Sequence, residues 1–135
     1  MAPVAVVDAD VLIGHLDSTD ALHERAEQLL LALADEGIGL RASTVTLAEV
    51  LVAPARTGRL REAETALDRL GVEEVPLGAD AAHRLAALRA RTGCRLPDCC
   101  VLLTAEASDG AVLASFDAKV RRAAAALEIE AAGLG

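Results

Sequence analysis

Residues 4–13 read "VAVVDADVLI": an apolar run, two aspartates one residue apart, then apolar residues again. The run Val4–Val7 is predicted as a first strand. Burying an unpaired carboxylate is expensive, so Asp8 and Asp10 need a reason to lie in so hydrophobic a segment. Either acid could cap the short turn expected after the strand.

Outward from this stretch, short apolar runs alternate with amphipathic helices, the pattern of an α/β domain around a mainly parallel sheet. A helix from about Asp20 to Glu36 carries Leu22, Ala26, Leu29, Leu30 and Leu33 at helical spacing. Gly37 stops it, and a second strand is expected over about Ile38–Ala42. Helices follow over Thr44–Val52 and Leu60–Leu70, separated by Pro54 and Gly58 as breakers. A third strand is expected at Val72–Val75 and a helix at Asp80–Thr92, ended by Gly93. Pro97 suits the first position of the next helix. Its segment "CCVLLTA" (residues 99–105) is apolar almost all round, which predicts a central, buried helix. Asp109-Gly110 turns into a fourth strand, Ala111–Ala114, before a last helix, Asp117–Leu127, and a short strand at Ile129–Ala131.

With 135 residues the chain fits one domain, residues 1–135, able to bury a real core. Hydrophobic residues make up 53% and charged residues 25%, which argues against disorder. Phe116 is the only aromatic residue, so a surface built on base stacking is not expected. The net charge of −8 is unlike the basic footprint of most nucleic-acid binders. Basic residues nonetheless gather in three groups: Arg56, Arg59 and Arg61; Arg84, Arg89, Arg91 and Arg95; Lys119, Arg121 and Arg122. Each fits a solvated helix face, and each could also steer a phosphate chain. No apolar run spans a membrane, and the N-terminus lacks the features of a signal peptide. Cys94, Cys99 and Cys100, odd in number and crowded, are not a disulfide framework. A cytoplasmic protein with its cysteines used as small core residues is expected.

In a parallel α/β sheet, ligands bind beyond the carboxyl ends of the strands. Asp8 ends the first strand and Asp117 follows the fourth. The helix beginning near Pro97 leads back into the fourth strand, so its N-terminus, with Asp98, returns to the same edge. Glu49 lies in the helix leaving the second strand, with Thr46 one turn earlier on its side. Asp109 enters the fourth strand from the opposite edge and is excluded. Singly, Asp98 and Asp117 fit first-turn and capping acids. Together, four carboxylates at one edge repel one another, and a divalent cation relieves that conflict. Ligands that are all oxygen favour Mg²⁺ or Mn²⁺ over zinc. Such an ion can polarise a water for attack on a phosphodiester.

Four segments, "VVDADVLI", "STVTLAEVL", "RLPDCCVLLTA" and "LASFDAKV", in this order and spacing, resemble the PIN-domain ribonucleases, in particular the VapC toxins of bacterial toxin–antitoxin pairs. The resemblance covers nearly the whole chain. It implies a PIN-like three-layer α/β/α sandwich with a mainly parallel central sheet of four to five strands. It places the family's four acids on Asp8, Glu49, Asp98 and Asp117, with Asp8, Asp98 and Asp117 holding Mg²⁺ or Mn²⁺ and Glu49 orienting or deprotonating water. Ser115 falls where the family commonly has a small hydroxyl or amide residue, and Thr46 matches a frequent hydroxyl near Glu49. Asp10 stands where the family often carries Ser, Thr or Asn; it is a helix cap or an added supporting acid. The implied activity is endonucleolytic cleavage of RNA that leaves a 5′-phosphate and a 3′-hydroxyl. A VapB-type antitoxin and a homodimer are the implied partners.

Two other readings compete. Asp8-Ala-Asp10 also resembles the DxD start of haloacid-dehalogenase-type phosphatases, but the only lysine, Lys119, follows every acid of the site and no late acidic pair appears. A non-catalytic PIN-like module that binds antitoxin and operator DNA is the other, since fold alone does not set function.

Overall fold

The chain is described here by a computed structural model over residues 3–133. Strand β1 (Val4–Val7) leads into helix α1 (Ala9–Leu16), and α2 (His23–Asp35) returns the chain to β2 (Gly39–Ser43). Helices α3 (Thr44–Arg56) and α4 (Leu60–Leu70) connect to β3 (Val72–Val75). Helices α5 (Ala81–Thr92) and α6 (Leu96–Ala107) then carry it across to β4 (Val112–Ala114), and α7 (Ala118–Ala126) follows.

The sheet has the order β3-β2-β1-β4 with every pairing parallel. Val6 stands opposite Arg41 of β2 on one side and Leu113 of β4 on the other. A fifth strand is reduced to a single parallel bridge, Leu113 to Ala131. The chain moves outward from β1 through β2 to β3, then crosses to the far side of β1. Because parallel crossovers are right-handed, that reversal places α1–α4 on one face and α5–α7 on the other. Alternation along β1 shows it: Ala5 and Val7 pack with Leu12, Leu29, Leu30 and Val50, whereas Val6 packs with Leu102, Leu113 and Val120. This is the three-layer α/β/α sandwich, and residues 99–105 are buried without exception.

Several local expectations are corrected. The stretch after Asp8 is a two-turn helix, α1, where a short turn was expected. Its residues are apolar on most sides, so the run shows no helical alternation of polar and apolar positions. The helix over 44–52 continues through Pro54 to Arg56. A proline there removes only its own N–H bond to the preceding turn, and its carbonyl accepts from Arg59 N at 2.8 Å. Leu96, not Pro97, is the first helical residue of α6. The second helix begins at His23, and the strand limits shift by a residue at β2 and β4.

Candidate active site

Where the order of strands reverses, between β1 and β4, the connections that follow the two strands leave the sheet toward opposite faces, the place where parallel α/β sheets open a crevice at the carboxyl edge. Asp8 sits there as the N-cap of α1, 7% exposed. Its Oδ1 accepts from Ala9 N at 2.7 Å, and its Oδ2 accepts from the Ser115 hydroxyl at 2.7 Å. The Ser115 oxygen also accepts from Asp117 N at 3.1 Å. Asp117 is in turn the N-cap of α7, with its Oδ1 on Val120 N at 3.0 Å. One buried hydroxyl therefore couples the acid of β1 to the acid that follows β4.

Asp10 reaches the same loop from α1. Its Oδ2 accepts from Phe116 N at 3.0 Å, while its buried Oδ1 has no hydrogen-bond partner among the described residues. The capping role considered for Asp10 is taken by Asp8, and Asp10 instead links α1 to the β4–α7 connection.

Asp98 lies in the first turn of α6, half-buried, with Arg95 Nε at 3.6 Å from its Oδ2. Glu49 is on the exposed side of α3 beside Ala48 and Val52. Thr46 does not share that side: it is fully buried, with its N–H on Ser43 Oγ and its hydroxyl 3.0 Å from the same oxygen. Sequence reading passed over Ser43, although a serine immediately before a helix is a capping signal.

The acids sense one another's charge. Burial pushes the Asp8 carboxyl above the usual carboxylate range, the Ser115 and Ala9 hydrogen bonds oppose that rise, and Asp98 and Asp117 add to it. Asp10 is pushed up to about 7, first by burial and then by the charge of Asp8. Glu49 is raised by burial, then by Asp8 and Asp98, against a smaller opposing effect of Arg95. Five carboxylates from β1, α1, α3, α6 and α7 thus share one electrostatic site. Among the described residues, no three His, Cys, Asp or Glu side chains are arranged to hold a metal ion as they stand. The donor types nevertheless fit a hard cation: the side chains gathered here offer only oxygen, and one buried carboxylate oxygen, Asp10 Oδ1, lacks a partner among the described residues.

A groove of about 420 Å³ runs from Glu49 between α1 and α3, floored by Ile13, Leu16, Val50 and Ala53 and rimmed by Asp17 and Arg59. The basic groups differ in what they do. Arg89, Arg91, Lys119 and Arg121 donate to backbone carbonyls (Cys94, Ala126, Gly93 and Ser115) and so brace the loops. Arg95 and Arg59 lie beside the acids and the groove. The three cysteines are buried and free, and burial raises Cys99 and Cys100, which keeps them as thiols. Among the described residues no helix is long and apolar enough to cross a membrane.

Comparison with solved structures gives close agreement of fold. A toxin–antitoxin complex from Klebsiella pneumoniae contains a chain with 26% identity and a TM-score of 0.69, covering 87% of this chain and 89% of that one. VapC20 of Mycobacterium tuberculosis, a toxin that cleaves the sarcin–ricin loop, has 19% identity and a TM-score of 0.71, over 88% and 94% of the two chains. VapBC2 from Rickettsia felis, bound to a DNA fragment of its promoter, gives 16% and 0.67, over 88% and 92%. No curated protein matches the sequence significantly. The sequence model of the PIN domain matches residues 5–126, a span that holds β1 from its second residue, all of β4 and all five acids, and the chain belongs to the PIN domain family.

Proposed function

We propose that this chain is a Mg²⁺- or Mn²⁺-dependent endoribonuclease and the toxin of a toxin–antitoxin pair. The observation that carries the reading is the set of five carboxylates gathered around Asp8 at the strand-reversal crevice of a PIN domain. Burial and neighbouring charge raise Asp8, Asp10 and Glu49 above the usual carboxylate range. Asp8, Asp98 and Asp117 would hold the cation, with Asp10 beside them. A divalent ion bound there supplies positive charge for the acids and the phosphate, and lowers the pKa of water at the site.

The chain's own groups divide the remaining work. Glu49, exposed and raised in pKa, takes the proton from the attacking water through its carboxylate. Ser115 fixes Asp8 and the start of α7 in mutual register. The reaction adds water across the P–O3′ bond, leaving a 5′-phosphate and a 3′-hydroxyl. The toxin–antitoxin complex from Klebsiella pneumoniae and VapBC2, which share the fold, support a VapB-type antitoxin as the regulatory partner; a homodimer acting in the cytoplasm completes the proposal.

The test is incubation of the purified, partner-free chain with total RNA and Mg²⁺ or Mn²⁺, with EDTA and Asp98→Asn as controls. Discrete fragments that require metal and vanish in Asp98→Asn are expected. Absence of both cleavage and cation binding overturns the reading. Tight cation binding without cleavage, together with antitoxin and operator binding, favours the non-catalytic module.

A further inference from the structure

Phe116, the only aromatic residue of the chain, stands directly before Asp117, and its N–H is held by Asp10. Over its ring lies the Arg25 guanidinium of α2, 4.8 Å from the ring centroid. Arg25 is exposed, and among the described residues it makes no ion pair and no hydrogen bond. Arg84, Arg89, Arg91, Arg95 and Arg121 are each spent on a carboxylate or a carbonyl; among the described arginines whose side chains make no such bond, Arg25 is the one set over an aromatic ring. A ring contact engages the face of the guanidinium and leaves its fork of N–H donors unused. Phe116 joins Asp10 through its N–H and precedes Asp117, so this unspent fork stands one ring away from the acids, and it matches one partner in geometry and charge, a phosphate held by two parallel hydrogen bonds.

We infer that Arg25, held in place by Phe116, is a phosphate-binding residue that anchors the RNA backbone beside the acidic crevice. The inference rests on the nuclease reading and deepens it by naming a substrate-holding group. The acids repel an approaching polyanion, so a cation fixed by an uncharged ring, with no neutralising carboxylate of its own, gives the strand a point of attachment. Sequence grouping could not find it, since Arg25 stands alone on its helix, far from every cluster of basic residues.

The experiment is steady-state cleavage of the RNA fragment that the wild-type chain cuts fastest, over a range of salt, for wild type, Arg25→Ala, Arg25→Lys and Phe116→Leu. Arg25→Ala is expected to raise KM about tenfold with kcat within about twofold, the signature of lost uniform binding. The slope of log(kcat/KM) against log[salt] is expected to flatten by about 0.7, one phosphate contact on a single strand. Arg25→Lys keeps the charge and is expected to restore the slope but recover only part of KM, because it loses the planar fork. Phe116→Leu is expected to raise KM while keeping the slope. Arg25 is exposed, so its variants should melt like wild type, which separates binding from folding. A wild type that cleaves while both Arg25 variants match it in KM and slope overturns this inference alone, and a matching loss of antitoxin binding would then assign Arg25 to the partner. A wild type that neither cleaves nor binds RNA overturns the nuclease reading and this inference with it. If it binds without cleaving, the same salt slope read from binding decides.

Discussion

Ser115 places one hydroxyl between two acids, donating to Asp8 Oδ2 and accepting from Asp117 N. Groups that orient metal-binding carboxylates commonly matter by one to two orders of magnitude. Ser115→Ala is therefore expected to lower metal-dependent RNA cleavage by about 10- to 100-fold with little change in fold, as single-turnover rates and circular dichroism would show. Asp10 offers a test of the electrostatics. In the folded chain it holds its proton up to about pH 7, whereas an unfolded aspartate releases it near pH 4. Between those values the folded chain binds more protons than the unfolded one, so stability falls as pH rises. The contribution is full below about pH 4 and lost as pH passes about 7. Asn at position 10 keeps an oxygen for Phe116 N–H and removes the titration. In EDTA, Asp10→Asn is expected to lose less melting temperature than wild type between pH 5 and pH 8. Equal losses would show that Asp10 ionises like a surface carboxylate.

The elements matter because they aim these residues. Helix α1 crosses α2 through Gly14, where an added Cβ would stand 3.1 Å from Ala26 Cβ and 3.3 Å from the Leu22 carbonyl oxygen. Gly14→Val is expected to destabilise the chain by about 2 kcal/mol, through overpacking against a backbone atom that cannot rotate away; denaturant melts would report it. Helix α3 starts on Ser43, whose hydroxyl serves both Thr46 N and Thr46 Oγ. Ser43→Ala is expected to cost about 1–2 kcal/mol in the same measurement. The sequence carried the larger elements well: helical spacing marked α2, and the unbroken apolar run 99–105 marked the buried α6. It concealed α1, whose eight residues are too few and too apolar for a period to show. It misplaced Thr46 because the spacing from Thr46 to Glu49 suggests one shared face, whereas the cap at Ser43 draws Thr46 inward. The edge holding Asp8, Asp98 and Asp117 was legible from the direction of the strands and of the helix that leads back into β4. The Asp10–Phe116 bond was not, since it joins residues 106 apart and no local pattern encodes it.

At the scale of the whole molecule, the chain carries a formal charge of −8 and gathers five carboxylates at one crevice. The strand order brings Asp8 and Asp117 together, because β1 and β4 are neighbours in the sheet but far apart in sequence, and α3 and α6 add Glu49 and Asp98. Such a site works against folding when empty, since raised carboxylates either hold protons or repel. A cation that binds the folded chain and not the unfolded one stabilises it by mass action, about 2.7 kcal/mol at a hundredfold excess over Kd. Mg²⁺ or Mn²⁺ is therefore expected to raise the melting temperature by roughly 5–10 °C at that excess. General screening would give a similar rise with Na⁺ at matched ionic strength, whereas a bound ion would not. Asp8→Asn separates the two further. It removes one charge from the cluster, so in EDTA the variant is expected to melt at or above the wild-type temperature at pH 8, and to gain little from Mg²⁺. A wild type that responds equally to Mg²⁺ and matched Na⁺, with Asp8→Asn behaving alike, would mean the crevice attracts counterions without holding one.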